Sequence, residues 1–121
     1  MLAYKVMGAG IQGLAVQALC LDCTTGISAA GTTQGTATAL SAARNFLSTV
    51  ASGAGVVLSA SATGGVSQLV YNGGANAVKV YPPSGAKINQ LAANAAVLLA
   101  TTTACEFHCG SAPQWAAVLS A

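Results

Sequence analysis

Residues 66–115 read VSQLVYNGGANAVKVYPPSGAKINQLAANAAVLLATTTACEFHCGSAPQW. Short apolar segments recur along this stretch at intervals of about eight to twelve residues, and Gly, Pro, Asn or Thr bounds each of them. The first segment, VSQLVY, alternates so that Gln68 and Val70 share one face and Leu69 and Tyr71 share the other, as in a half-buried strand. The spacing therefore predicts a compact all-β domain.

Turn residues divide this stretch and its surroundings into individual strands. Asn72-Gly73-Gly74 predicts a hairpin because Asn and Gly tolerate positive φ, and Pro82-Pro83 ends a strand because proline cannot donate to a central ladder. Residues 38–51 combine helical spacing with a strand-like end, so the sequence allows either a helix or a strand there. We predict strands at residues 56–58, 66–71, 77–81, 87–91, 97–100, 104–109 and 114–119. Their number and spacing predict an antiparallel β-sandwich, jelly-roll-like fold or small barrel.

The N-terminal third differs from the rest of the chain. Residues 1–23 are apolar with little punctuation, whereas residues 24–38 are rich in Gly, Thr, Ser and Ala, which is typical of a loop or an extended arm. We therefore divide the chain into an N-terminal arm, residues 1–37, and a β-domain, residues 38–121. Glutamines and glycines interrupt the apolar start and no clean cleavage site follows it, so we expect no secretion signal.

Charged side chains are scarce, at 5% of residues against about 25% in typical soluble proteins. The net charge of +2 is too small and too scattered to serve nucleic-acid binding, and no apolar run is long enough to span a membrane. Weak repulsion between copies favours association. We therefore expect a homo-oligomer with no nucleic-acid or membrane partner. The charged residues are Lys5, Asp22, Arg44, Lys79, Lys87 and Glu106.

A GxGxxG motif, Gly8-Ala9-Gly10-Ile11-Gln12-Gly13, suggests a dinucleotide site. Such a site needs an acidic residue about 20 positions further on to hold a ribose, and residues 29–34 contain none. No alternation of strands and helices follows the motif either. We therefore expect no nucleotide cofactor, and we interpret the glycines as small residues that allow close packing.

Four cysteines and a histidine suggest a zinc site, but their spacing argues against one. The Cys20–Cys23 and Cys105–Cys109 pairs are separated by 81 residues, whereas zinc ribbons usually separate their pairs by about 12–20. On a strand, Cys105 and Cys109 would share a face but lie about 13 Å apart, and His108 would point to the opposite face. We expect no metal, and we expect all four cysteines to be reduced, small, buried hydrophobes.

Residues for acid–base catalysis are nearly absent. The chain has one histidine and two carboxylates, so a Ser-His-Asp arrangement would need His108, Asp22 and a serine that the sequence does not identify. Glu106 and His108 are expected to share a strand face and to form a salt link or meet solvent. We therefore expect neither an enzyme nor a small-molecule substrate.

Isolated aromatic residues offer one further possibility. Tyr71, Tyr81 and Trp115, with Phe107, could form a platform on which a sugar stacks. Packing in a core or an interface is the more frequent use of such residues. We retain Tyr71, Tyr81 and Trp115 as candidate glycan-binding residues for the alternative function given below.

Residues 70–100 (VYNGGANAVKVYPPSGAKINQLAANAAVLLA) and 109–115 (CGSAPQW) resemble a recurring module of tailed-bacteriophage structural proteins. The shared pattern is an apolar strand, an N/G-A-N-A turn, a strand ending in an aromatic-Pro pair, an I-N-x-L-A-x-N-A segment and a closing C-x-S-A-x-Q-W. Residues 32–40 and 47–51 are similar to the lead-in of that module. The resemblance spans residues 32–118, and members occur in capsid decoration (cement) proteins and head fibres.

The resemblance implies a β-rich, trimeric virion component without catalytic residues or cofactors. Our leading hypothesis is a capsid decoration protein that trimerises and packs against the major capsid protein of an icosahedral phage head, with residues 1–38 as the docking arm. It would lie on the capsid surface of the virion after assembly in the host cytoplasm. The alternative is a head-fibre or tail-fibre module that contacts host glycans through Tyr71, Tyr81 and Trp115. The chain departs from the module at residues 1–23, Cys105 and Pro82-Pro83.

Overall fold

The computed structural model describes residues 22–60, 65–111 and 114–119, and all regular secondary structure in these ranges is β-strand. The prediction of an all-β fold is therefore confirmed. The ten strands in these ranges are β1 (Cys23–Ala29), β2 (Thr38–Ala39), β3 (Arg44–Val50), β4 (Gly55–Val57), β5 (Ser67–Asn72), β6 (Val78–Tyr81), β7 (Lys87–Ile88), β8 (Val97–Leu99), β9 (Thr103–Ser111) and β10 (Gln114–Leu119).

The strands form two sheets, and from β1 to β9 successive strands alternate between them. The six-stranded sheet has the order β1-β3-β5-β9-β10-β7, and the four-stranded sheet has the order β2-β4-β6-β8. Strands β1, β3 and β5 pair in parallel, as do β2, β4 and β6. The chain thus winds through three coils of a short β-solenoid. Antiparallel pairing of β8 with β6, of β9 with β5 and of β10 with β9 follows, and β7 pairs in parallel with β10.

The predicted antiparallel sandwich, jelly roll or barrel is wrong, because Asn72 makes a corner where a hairpin was expected. The Asn72 side chain is fully buried, its Oδ1 accepts a hydrogen bond from Gly74 N, and its Nδ2 donates to Asn76 O and Leu99 O. These bonds hold the chain as it leaves the six-stranded sheet and enters the four-stranded one. Strand β6 therefore pairs with β4 and β8 rather than with β5.

The β body begins earlier than predicted. Strand β1 lies within the predicted arm, residues 1–37, and pairs in parallel with β3. Its register skips near Gly26, which has a φ of 69° and supplies the extra residue of a β-bulge. Residues 1–21 of the predicted arm lie outside the described residues. The ambiguous stretch at residues 38–51 forms β2 and β3, so its strand-like end was the correct indication.

The hydrophobic core lies between the two sheets. The alternation predicted for β5 and β6 is confirmed, because Val70, Val78 and Val80 are fully buried whereas Leu69 and Tyr71 are not. Burial of this apolar surface supplies the main driving force for folding. The largest buried side chains are Trp115, Phe107, Leu47, Leu58, Ile88, Leu99, Val56, Val70, Val78 and Val80.

Three buried amide side chains, those of Asn45, Gln68 and Asn72, satisfy the backbone at the coil corners. Gln68 Oε1 accepts from Ser59 N at 2.8 Å, and Gln68 Nε2 donates to Ala42 O at 3.0 Å. Asn45 Nδ2 donates to the same Ala42 carbonyl at 2.9 Å. A corner leaves backbone groups that no neighbouring strand can reach, so these amides replace the missing ladder bonds.

Candidate interaction sites on the sheet surfaces

The outer face of the six-stranded sheet carries several partly exposed apolar side chains. Phe46, Tyr71 and Ala104 lie side by side on β3, β5 and β9, and the rings of Phe46 and Tyr71 have centroids 5.8 Å apart. Leu69 and Val118 belong to the neighbouring row, and Val118 is 59% exposed. We call these five residues the outer-face patch. Apolar side chains that share a sheet face make that face a candidate interaction site.

Two opposite charges flank Leu69 within this patch. The register places Arg44 opposite Leu69 on one side and Glu106 opposite it on the other. Since neighbouring strands lie about 4.8 Å apart, the backbones of Arg44 and Glu106 are about 10 Å apart. A face that carries both signs around an apolar centre is electrostatically compatible with a second copy of itself.

A short polar chain continues along the same face. Ser67 Oγ lies 2.7 Å from His108 Nδ1, and His108 Nε2 lies 3.3 Å from Glu106 Oε1. The predicted shared face of Glu106 and His108 is confirmed: the two side chains are in contact, and both are about half exposed. The sequence could not identify Ser67 because it becomes the partner of His108 only through the antiparallel pairing of β5 with β9. The two bonds fix the orientation of the imidazole ring.

The three predicted glycan-binding aromatic residues are not brought together. Tyr71 lies on the outer face of the six-stranded sheet, Tyr81 lies on the outer face of the four-stranded sheet, and Trp115 is 2% exposed in the core between them. The Tyr81 hydroxyl donates to Thr32 O at 3.2 Å, and its ring packs against Gly55. These residues pack the fold rather than form one stacking platform.

The cysteines are divided between the core and an edge. Cys105 and Cys109 are buried on the inner face of β9, as predicted, and burial raises the pKa of the Cys105 thiol to about 11. Cys23 is exposed on β1, at the edge of the sheet, so its predicted burial is wrong. Among the described residues, no group of three potential metal ligands occurs. Cys20 and the glycine motif at residues 8–13 lie outside the described ranges.

A cleft of about 750 Å³ opens where β7, β9 and β10 meet. Polar side chains from all three strands and from the residues after β7 line it: Lys87, Asn89, Gln90, His108 and Gln114. Trp115 and Ala116 complete the walls. This cleft is larger than a second surface hollow in the described part of the chain, which has a volume of about 250 Å³ and lies near Ser41, Ser59 and Ser67.

The fold and its surfaces define an all-β protein of the short β-solenoid type. Within the part of the chain that the structure describes, no helix has the length and apolar character needed to cross a membrane. Comparison with known proteins finds no matching family model, no matching curated protein and no matching solved structure.

Proposed function

We propose that this chain is a structural protein of a phage virion, a capsid decoration protein that forms a homotrimer and packs against the major capsid protein. The resemblance of residues 32–118 to phage structural modules supports the virion assignment. The observation that carries the proposal is the outer-face patch, because it gives identical copies an apolar surface on which to associate. The work of such a protein is mechanical and uses no cofactor.

The exposed apolar side chains support association. Val118 is 59% exposed in the outer-face patch, and Phe46, Leu69 and Tyr71 are partly exposed. Burying apolar surface stabilises an interface by about 25 cal/mol per Å² before the entropic cost of association is subtracted. Obligate interfaces cover about 2,000 Å² or more and are rich in apolar area. The broad six-stranded face is the better candidate for such an interface.

The scarcity of charge supports the same proposal. Beside Leu69 in the outer-face patch, Arg44 and Glu106 have opposite signs, so stacked copies can avoid placing like charges against each other. The ring pair of Phe46 and Tyr71 is only partly buried and adds aromatic surface, which is enriched in interface centres.

Light scattering coupled to size-exclusion chromatography tests the trimer. We expect the wild-type chain to elute at three times its 11.7 kDa mass at micromolar concentration. Val118→Asp should dissociate the trimer, because it places a carboxylate in the patch without disturbing the core. The matched control is Leu98→Asp, a similarly exposed change on the other sheet, which should leave the mass unchanged. A monomeric wild-type protein, or dissociation by the control alone, would refute this interface.

Mass spectrometry of purified virions tests the capsid assignment. If the chain is a decoration protein, virions of the phage that encodes it should contain it in copy numbers comparable to those of the major capsid protein. Its absence from intact virions would refute the proposal, whatever its oligomeric state.

A further inference from the structure

The cleft at the β7, β9 and β10 end of the six-stranded sheet has the size of a ligand site. Its volume of about 750 Å³ lies in the usual range of about 300–1,000 Å³ for small-molecule pockets. It lies beyond the outer-face patch, on the far side of Ser67 and His108. Association through the patch does not account for it.

The lining residues define the chemistry of a ligand. The exposed Gln90 amide offers both a donor and an acceptor. Asn89 adds its Nδ2 donor and Gln114 adds its Oε1 acceptor, because Asn89 Oδ1 already accepts from Ala117 N and Gln114 Nε2 already donates to Asn89 O and Trp115 O. Together these donors and acceptors match the neighbouring hydroxyls of a sugar. Lys87 adds one positive charge, and none of the described lining residues is acidic. Lys87 lies directly beside Gln114 on the paired strand, so charge and amide face the same ligand. The chemistry therefore fits a polyhydroxylated anion.

The site is held in shape by its own hydrogen bonds. Asn89 has a φ of 52°, a left-handed conformation that is uncommon outside glycine. Its N donates to Trp115 O at 2.8 Å, its backbone O accepts from Gln114 Nε2 at 3.0 Å, and its Oδ1 accepts from Ala117 N at 3.0 Å. These bonds join the residues after β7 to β10. Unusual backbone geometry that the surrounding structure fully supports is often found at binding sites.

The imidazole on the opposite wall is fixed as well. Ser67 and Glu106 occupy the two ring nitrogens of His108, so the ring cannot rotate freely. A ligand that enters the cleft therefore meets an imidazole ring that is already held in place, and it loses little affinity to ordering that ring.

We propose that this cleft binds a carboxylate-bearing saccharide, with the carboxylate at Lys87 and the hydroxyls at the amides of Asn89, Gln90 and Gln114. The site is independent of the aromatic set Tyr71 and Tyr81 and of the capsid proposal. Trp115 adjoins the cleft but is 2% exposed, so the proposal assigns its ring no contact with the ligand.

Tryptophan fluorescence tests the proposal, because Trp115 is the single tryptophan of the chain and lines the cleft. Titration with D-glucuronate should give a saturable change with a dissociation constant of about 1 mM. Neutral D-glucose and simple acetate should bind at least about tenfold more weakly, because each lacks one half of the recognised chemistry.

Lys87→Gln should weaken glucuronate binding about tenfold without changing the melting temperature, since Lys87 is exposed. The matched control is Lys79→Gln on the outer face of the four-stranded sheet, which should leave binding unchanged. Absence of a saturable response to glucuronate, an equal response to acetate or glucose, or an equal loss in both lysine variants would each overturn the proposal.

Discussion

Replacing Asn72 by alanine would test whether the corner between β5 and β6 holds the two sheets together. Asn72 belongs to the six-stranded sheet, but one of its hydrogen bonds reaches Leu99 O, in the four-stranded sheet, at 3.0 Å. Its other bonds close the corner itself, to Asn76 O at 2.9 Å and from Gly74 N at 2.9 Å. The side chain is fully buried, so water cannot replace it in the native structure.

The expected loss follows from counting these bonds. Each contributes about 1 kcal/mol net, and removing Asn72 also leaves its partners without a bond in the protein interior. We therefore expect Asn72→Ala to reduce the free energy of unfolding by about 3–4 kcal/mol. The total for a domain of this kind is about 5–15 kcal/mol, so the melting temperature should fall by about 10–15 °C.

Urea unfolding followed by Trp115 fluorescence measures this loss, with an unchanged denaturant slope expected for a purely native-state effect. Asn72→Asp is an informative second variant, since it keeps the acceptor for Gly74 N but brings a carboxylate against two carbonyl oxygens. Gln90→Ala, which removes an exposed amide, serves as the matched control and should change the stability by less than about 0.5 kcal/mol. A loss below about 1 kcal/mol in Asn72→Ala would contradict the role assigned to this corner.

Four further results are expected. Gly74→Ala should cost more than about 2 kcal/mol in urea unfolding, because its Cβ would lie 2.7 Å from Val50 N. Iodoacetamide labelling with mass mapping should modify exposed Cys23 in the native state but Cys105 only after unfolding. Burial raises the pKa of the Cys105 thiol from 9.0 to about 11, so this thiol ionises at lower pH in the unfolded chain than in the folded protein. The free energy of unfolding, measured in urea, should therefore decline between pH 9 and about pH 11, and it should decline less steeply in Cys105→Ala. Glu106→Gln should change stability by less than about 1 kcal/mol, because its contact with His108 is half exposed.

The strands were predictable from the sequence because alternation is a local property. The segments around β4, β5, β6, β8, β9 and β10 were found with bounds close to those observed. Strand β1 was missed because CTTGISA contains few apolar residues and is mostly exposed. It is a strand because β3 provides a partner, which no local pattern reveals.

The pairing of the strands was not predictable in the same way. Equivalent positions of successive coils, Cys23, Arg44 and Leu69, are 21 and 25 residues apart, so the sequence has no fixed repeat that would indicate a solenoid. Asn72-Gly73-Gly74 suits a hairpin and a corner equally well. The corner forms because the Asn72 side chain is buried and donates a hydrogen bond to Leu99 O. Leu99 belongs to β8, which lies too far along the chain for a local pattern to reveal the contact.

For the candidate sites as well, contacts within one strand were predictable and contacts between strands were not. Glu106 and His108 could be paired from the sequence because they are two residues apart on one strand. The patch and the cleft combine residues from up to four strands, so they could not be predicted without the sheet order. The grouping of aromatic residues was not predictable for the same reason, because Tyr71 and Tyr81 are close in sequence but lie on different sheets.

The edges of the sheets show why association should use a face rather than strand addition. Strands β2 and β7 have two residues each and β8 has three, which is too short to recruit another strand. Strand β1 is longer, but the bulge at Gly26 breaks its ladder. The edges that the structure describes are therefore protected, so the proposed association uses a sheet face, and the outer-face patch is the face that we propose. An oligomer built on that patch buries Val118 and Leu69, and for this reason Val118→Asp, rather than a proline in β1, should dissociate it.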